Sequence, residues 1–144
     1  MKIKVKKLCP DAILPTYGSP FSAGADLYAA GGETVTVHPR ETVLVHTGIA
    51  MEIPEGYGGF LYARSGLATK KGLAPANKVG VIDADYRGEI MVALFNQSSE
   101  VRTVEPGERI AQLVIAPFLK GEFEECDALE DTLRGSGGFG STGK

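Results

Sequence analysis

The sequence predicts an all-β fold, and three features of it do so. Glycine and proline are abundant, 19 and 8 among 144 residues, well above average usage. Such an excess marks many turns between short strands. Apolar residues recur with period two in most runs, the spacing that turns one face of a strand inward. Turn signals at Gly31-Gly32, Pro39, Pro54 to Gly56, Gly88 and Pro106-Gly107 divide these runs at about the 8–12-residue interval of a sandwich or barrel.

Taken in order, Ile3 and Val5 alternate with Lys2, Lys4 and Lys6. Val35 and Val37 alternate with Thr34, Thr36 and His38, and Val43 and Val45 follow. Tyr57, Phe60 and Tyr62 sit in a Gly-rich stretch. Lys78 to Ile82 reads as a short apolar strand. Ile90, Val92 and Leu94 alternate with Met91, Ala93 and Phe95. Ile110, Gln112 and Val114 alternate with Ala111, Leu113 and Ile115. Only Ser65 to Lys71 has a helical character, and it is short. No internal repeat is visible.

The length fits one domain. A domain of this size buries roughly 70% of the surface its unfolded chain exposes, so it folds without a disulfide or metal. The net charge is −3, and the acidic balance argues against DNA or RNA as a partner. Any anionic ligand must then be held by a few placed cations. Cys9 and Cys126 make no disulfide framework, and with His38 and His46 they match no zinc spacing. The start MKIKVKKLCP has no apolar core of a signal peptide, and no apolar run is long enough to span a membrane. A cytoplasmic, reducing location is expected. Asn96-Gln97-Ser98 is formally a glycosylation sequon, without meaning in that compartment.

Residues 127–144 differ in composition. From Arg134 on, the chain holds five glycines and almost no core material, so this tail is mobile unless something orders it. Two phosphate-binding patterns in it fail. Gly135-x-Gly137-x-x-Gly140 has no following helix and acidic partner, and Gly138 to Lys144 lacks the final Ser or Thr of a P-loop. Asp83-x-Asp85-x-Arg87-Gly88 starts like a calcium loop but has Arg at its fifth position and Leu94 at its twelfth. The tail nevertheless offers open backbone N–H groups, Arg134, Ser141 and Thr142, which are phosphate ligands.

Five polar clusters remain. Ala23-Gly24-Ala25-Asp26-Leu27 sets one carboxylate among small residues. Arg64-Ser65-Gly66-Leu67 sets a guanidinium and a hydroxyl where a strand meets a short turn or helix, whose backbone N–H groups favour an anion. Gly80 to Glu89 runs a buried strand into a charged turn and back as a hairpin. Gly107-Glu108-Arg109-Ile110-Ala111-Gln112 sets an amide in an apolar β-run. Arg134 to Gly143 closes the chain. Each alone has an ordinary structural explanation: Asp26 capping a turn, Gln112 satisfying a buried backbone group, Arg64 pairing with a surface carboxylate.

In this order, over about residues 3 to 143, the clusters resemble the five signature motifs of the homotrimeric dUTPase family (deoxyuridine triphosphate nucleotidohydrolases). The third and fifth carry the most specific resemblance. One small departure is Ala63, where many members have Pro before Arg-Ser-Gly. The resemblance implies a jelly-roll-like distorted β-barrel over 1–126. Residues 127–144 would be a C-terminal tail that closes over a neighbouring subunit's active site. It implies a homotrimer in which each site takes its third motif from a second chain and its tail from another.

The implied reaction is hydrolysis of dUTP to dUMP and pyrophosphate, which keeps uracil out of DNA and supplies dUMP for thymidylate synthesis. Asp83 matches the base that deprotonates the attacking water, and Gln112 the residue that holds that water or the α-phosphate. Mg²⁺ on the phosphates is the implied cofactor, with Asp26 gripping it through water. Arg64, Ser65 and the Gly66 amide match the phosphate-chain ligands. Arg134, Gly140, Ser141 and Thr142 match the tail residues that clamp the γ end. Asn77, Gly80, Val81, Ile82 and Met91 match the uracil-binding positions, mostly through backbone. Tyr86 matches the residue stacked under deoxyribose, leaving no room for a 2′-hydroxyl, and Phe139 the aromatic that covers uracil. Two other readings stay open at this level: a dCTP deaminase of related fold, which would release ammonia, and a non-catalytic nucleotide-binding protein, which would release nothing.

Overall fold

The computed structural model describes residues 1–139. It contains twelve strands and one short helical turn. The strands are β1 Lys4–Lys7, β2 Thr16–Tyr17, β3 Ala25–Tyr28, β4 Val35–Val37, β5 Thr42–His46 and β6 Ile49–Glu52. They continue as β7 Tyr57–Tyr62, β8 Leu73–Pro75, β9 Gly80–Ile82, β10 Met91–Asn96, β11 Arg102–Val104 and β12 Arg109–Pro117. Every pairing is antiparallel. The sheet orders are β1-β6, β5-β10-β8, β11-β4 and β2-β3-β12-β7-β9. Neighbours in a sheet are mostly distant in sequence, as in a jelly roll and unlike a meander.

The core follows from the period-two pattern. On β10, Val92, Leu94 and Asn96 are buried while Met91, Ala93 and Phe95 are only partly so. Leu27, Val37, Val45, Ile49, Leu73, Leu94 and Ile110 meet in one cluster drawn from all four sheets. Burying each contributes about 1.5–3 kcal/mol. Thr47 and Asn96 are the buried polar residues among those described, and Asn96 is fully satisfied. Its amide donates to Val37 O at 2.9 Å and Glu100 O at 2.8 Å, and its oxygen accepts from Ser98 N and Oγ. Both the side-chain nitrogen and the surrounding core therefore close this sequon to modification.

Three expected elements shift. The helical turn is Leu67–Lys71, a wide π-type turn ended by Gly72 in the left-handed region. The expected strand from Lys78 begins at Gly80, because Lys78 takes a positive φ of 66° and closes a turn onto Pro75 O. Ile90 precedes β10 instead of opening it. From Pro117 to Ser136 every residue is exposed, and no strand or helix follows Pro117 among the described residues. Leu119, Phe123, Leu129 and Leu133 stand exposed on this arm, and Phe118 is half-exposed.

Candidate active site

The five-stranded sheet places the first half of the site by register. Asp26 on β3 and Tyr62 on β7 both pair with Gln112 on β12. Paired residues share a face, and the next row points the other way. That next row, Ala25, Leu113 and Leu61, is buried in the core. Asp26 and Gln112 consequently stand side by side on the outer face.

Arg64 follows two residues after β7 and reaches back over this row. Its Nε donates to Asp26 Oδ1 at 2.7 Å, and its Nη1 reaches Arg109 O at 3.4 Å. Arg109 Nη1 approaches Asp26 Oδ2 at 3.3 Å. One largely buried carboxylate, 14% exposed, thus fixes two guanidinium groups. Gln112 Nε2 donates to Ala63 O at 2.9 Å, pinning the chain just before Arg64. That leaves the amide oxygen as the acceptor end. Gly24 lies against this side chain so closely that a Cβ there would overlap Gln112 Oε1 and sit 3.1 Å from its Cβ. These residues, with Ser65, Gly66 and Ser22, line an open polar cleft of about 460 Å³.

The second half lies elsewhere. Asn77, Gly80, Val81, Ile82, Asp83, Tyr86 and Met91 line a separate cleft of about 290 Å³, with Leu44, Leu61, Glu89, Ile90 and Ala93. Gly80 packs against Leu61 and Asn77, where a Cβ would lie 3.2 and 3.3 Å away. The segment expected to return as a hairpin does not: β9 pairs only with β7, while β10 pairs with β5 and β8 in another sheet, so residues 83–90 form a loop that crosses between sheets. Asp83 and Tyr86 are exposed on this loop. Tyr86 folds back over it, and its hydroxyl donates to Glu89 O at 2.9 Å. Gly88 makes this possible. A Cβ at 88 would come within 2.6 Å of Tyr86 Cζ and overlap its hydroxyl.

Each expected site residue up to Met91, and Gln112, therefore falls in one of two clefts. The clefts share no lining residue. Across the sheet β3 and β9 stand three strand spacings apart, roughly 14 Å. Arg134 and Phe139 lie on the arm. Arg134 Nε donates to Gly137 O at 2.8 Å within its own turn, and Phe139 is fully exposed. Gly140, Ser141 and Thr142 fall outside the described residues. Arg109, Gly24 and Gly88 were not singled out from sequence. Arg109 carries a signal, its place in the fourth cluster. The glycines show their role only once the neighbouring side chain is placed.

Electrostatics mark the rim of the cradle. Burial pushes the Glu108 carboxyl up, but the Glu105 amide and Lys71 outweigh it and hold it below its ordinary value. Lys71 Nζ lies 3.0 Å from Glu108 Oε1, tying the helical turn to β12. For metal binding, no group of three or more His, Cys, Asp or Glu gathers among the described residues. The cradle offers a single carboxylate in a polar cleft. That donor set fits a hydrated hard cation whose inner ligands come from a substrate, since Mg²⁺ keeps several waters and takes few protein ligands. No helix among the described residues is long and apolar enough to cross a membrane.

Comparison with known proteins agrees with this arrangement. A family model described as dUTPase matches residues 10–143. Deoxyuridine 5'-triphosphate nucleotidohydrolase of Desulfitobacterium hafniense is 51% identical over 146 residues, covering 99% of this chain and 97% of that one. The protein of the same name from Hydrogenobaculum sp. is 52% identical, covering 99% of both chains. Among solved structures, the Staphylococcus bacteriophage 80alpha dUTPase with dUpNHpp superimposes with a TM-score of 0.85 at 32% identity, over 99% of each chain. The dUTPase from phage phi11 of S. aureus, in a structure described as showing coordination of a structural Mg(II) ion, gives 0.81 at 27% identity. It covers 91% of this chain and 100% of the other. Near-complete coverage in both directions, with sequence identity around one half, places the whole chain and not merely its fold: it belongs to the dUTPase family of enzymes.

Proposed function

We propose that the protein hydrolyses dUTP to dUMP and pyrophosphate, in sites built jointly by the subunits of a homotrimer. The observation that carries this reading is the separation of the two clefts. One holds the phosphate-type ligands and Gln112; the other holds the nucleoside-type pocket and Asp83. A chain that carries both halves without joining them completes its site with a second copy, as heterologous contacts in a closed ring allow. The uncovered apolar arm, 117–136, supports the same assembly. We take 1–126 as the barrel domain and 127–144 as the tail that closes over a neighbour's site. The named relatives and the 80alpha complex with a dUTP analogue support the substrate.

In this reading Arg64, Ser65 and the Gly66 amide bind the phosphate chain. The Asp26 carboxylate holds Arg64 Nε, so the rest of the guanidinium fork is pre-aimed before substrate arrives, and ordering cost at binding is lowered. Asp83 on the β9–β10 loop of a neighbouring subunit takes the proton of the attacking water as the oxygen–phosphorus bond forms and pyrophosphate leaves. A positioned general base contributes about 10²–10⁴ in rate. Gln112, its Nε2 tied to Ala63 O, presents Oε1 to orient that water. Asp26 would also hold Mg²⁺ through water. The ion's chemistry is compensation of the triphosphate charge.

Strand β9 and the residues around it supply selectivity. Uracil offers an acceptor at O4 and a donor at N3, and cytosine reverses both. Fixed backbone groups at Gly80, Val81 and Ile82, with Asn77, leave cytosine's polar edge unpaired. Met91 walls the pocket, and Tyr86 lies under the sugar and excludes a 2′-hydroxyl. From the tail, Phe139 covers the base, and Arg134, Gly140, Ser141 and Thr142 clamp the γ end while excluding bulk water.

The test is pyrophosphate release from dUTP, dCTP, dTTP and UTP, with Mg²⁺ and with excess chelator. Release from dUTP alone, abolished by chelator, is expected. Ammonia from dCTP, or no release from a folded protein, would overturn the reading.

A further inference from the structure

The loop between β9 and β10, which carries Asp83 and Tyr86, is tied to the barrel at one end by a concentration of bonds. Glu89 accepts Gly48 N on Oε1 at 2.8 Å and meets His46 Nδ1 with Oε2 at 2.9 Å. Its neighbour Ile90 donates to Ile49 O at 2.9 Å and accepts from the buried Thr47 hydroxyl at 2.5 Å. The turn from His46 to Ile49 therefore grips the end of this loop from both sides. On its other side, the Glu89 carbonyl accepts the Tyr86 hydroxyl. One residue thus joins the barrel, through its side chain, to the aromatic ring of the nucleoside pocket, through its backbone.

The turn is itself fixed. Gly48 takes a φ of +66°, and a Cβ there would overlap Cys9 Sγ and lie 2.9 Å from Ala12 Cβ. Its amide cannot readily swing away from the carboxylate. Glu89 is only 24% exposed, so its bonds are little weakened by water, and removing the carboxylate leaves the inward Gly48 N–H without its acceptor.

We propose that Glu89 is a positioning residue for sugar discrimination. Its carboxylate locks the Glu89 peptide, whose carbonyl in turn sets the tilt of the Tyr86 ring under the substrate's C2′. Without the lock the ring drifts and space for a 2′-hydroxyl opens. This rests on the dUTP-hydrolase reading, so the test has one arm that needs no turnover. In the unliganded protein, the NMR contact between the Tyr86 ring and the Gly88 α-protons should weaken in Glu89→Ala. It should persist in Glu89→Gln, which keeps an acceptor for Gly48. With substrate, Glu89→Ala should lower the kcat/KM preference for dUTP over UTP by about threefold to tenfold, the loss expected of one buried bond. The change should appear mainly in KM. Glu89→Gln should restore most of the preference, and in a Tyr86→Ala background Glu89→Ala should change it no further. An unchanged ring contact in Glu89→Ala, or an unchanged preference despite altered thermal stability, would overturn the proposal. Absence of dUTP turnover by the parent protein would instead sink the activity reading and leave the ring contact to decide on the clamp.

Discussion

At the scale of single residues, the account turns on a few groups whose surroundings fix them before substrate binds. Asp83→Ala should bind dUTP and turn it over at least about a hundredfold more slowly. Rapid-quench kinetics with a parallel binding titration separates the two effects, and near-normal kcat would remove Asp83 from the base role. Gly88→Ala forces the Tyr86 ring away from its present place, since the new Cβ would stand 2.9 Å from Cε2 and nearer still to Cζ. The expected result is a smaller preference for dUTP over UTP, read from competing-substrate assays.

Glu108 gives a pH prediction whose sign is fixed. Its folded-state pKa lies below its ordinary value of 4.5. Its contribution is therefore present above about pH 4.5 and fades as pH falls through the lower folded-state value. Glu108→Gln should be less stable than the parent at pH 7, by under about 1 kcal/mol because the pair is partly exposed. The difference in denaturation midpoint should close on acidification below pH 4. Asp26, Arg64, Asp83 and Gln112 each have an ordinary structural reading when taken alone, and only the order of the five clusters, through the family resemblance, suggested roles for them. Gly24 and Gly88 were not. A glycine announces space, but only the placed Gln112 and Tyr86 side chains show what the space is for.

At the scale of elements, alternation served well where a strand has one wet face. It revealed β10, whose buried and part-buried residues alternate throughout, and β12, where alternation holds only over Ala111 to Val114 beside a register shift. It missed β2, β3, β8 and β11, which run only two to four residues, too short for two periods to register. It also missed β6, buried on both faces over Ile49–Met51, where alternation vanishes. Lys78 defeats the strand expected there, because a left-handed residue closes the turn that presents Asn77. The arm was legible as different through its composition. Truncation before Arg134 should leave the barrel folded and the assembly intact, since the described residues from Arg134 to Phe139 hydrogen-bond only with each other and with Thr132. Activity should fall to a small remnant. Circular dichroism and sedimentation beside the pyrophosphate assay check all three, and full activity would remove the tail from the site.

At the scale of the whole molecule, the register of one five-stranded sheet keeps the two clefts of a chain apart. Asp26 and Gln112 share a row on β3 and β12, while Asp83 follows β9 at the sheet's far edge. Two strand spacings separate β12 from β9 and three separate β3 from it. The separation was not legible in the sequence, because it depends on long-range pairing of β12 with β3 and of β7 with β9. The proposed sharing of sites between subunits draws on this geometry, and the proposed number of subunits on the family resemblance.

The most direct test is complementation. Asp83→Ala and Gln112→Ala chains, each nearly inactive alone, are co-expressed with different affinity tags and the mixed assemblies purified through both. If each site draws Asp83 and Gln112 from different subunits, a trimer carrying both chains regains about one site in three, and activity rises well above either parent variant. If both residues serve from one chain, every site keeps a defect, and activity no higher than that of the separate variants would contradict the shared-site account.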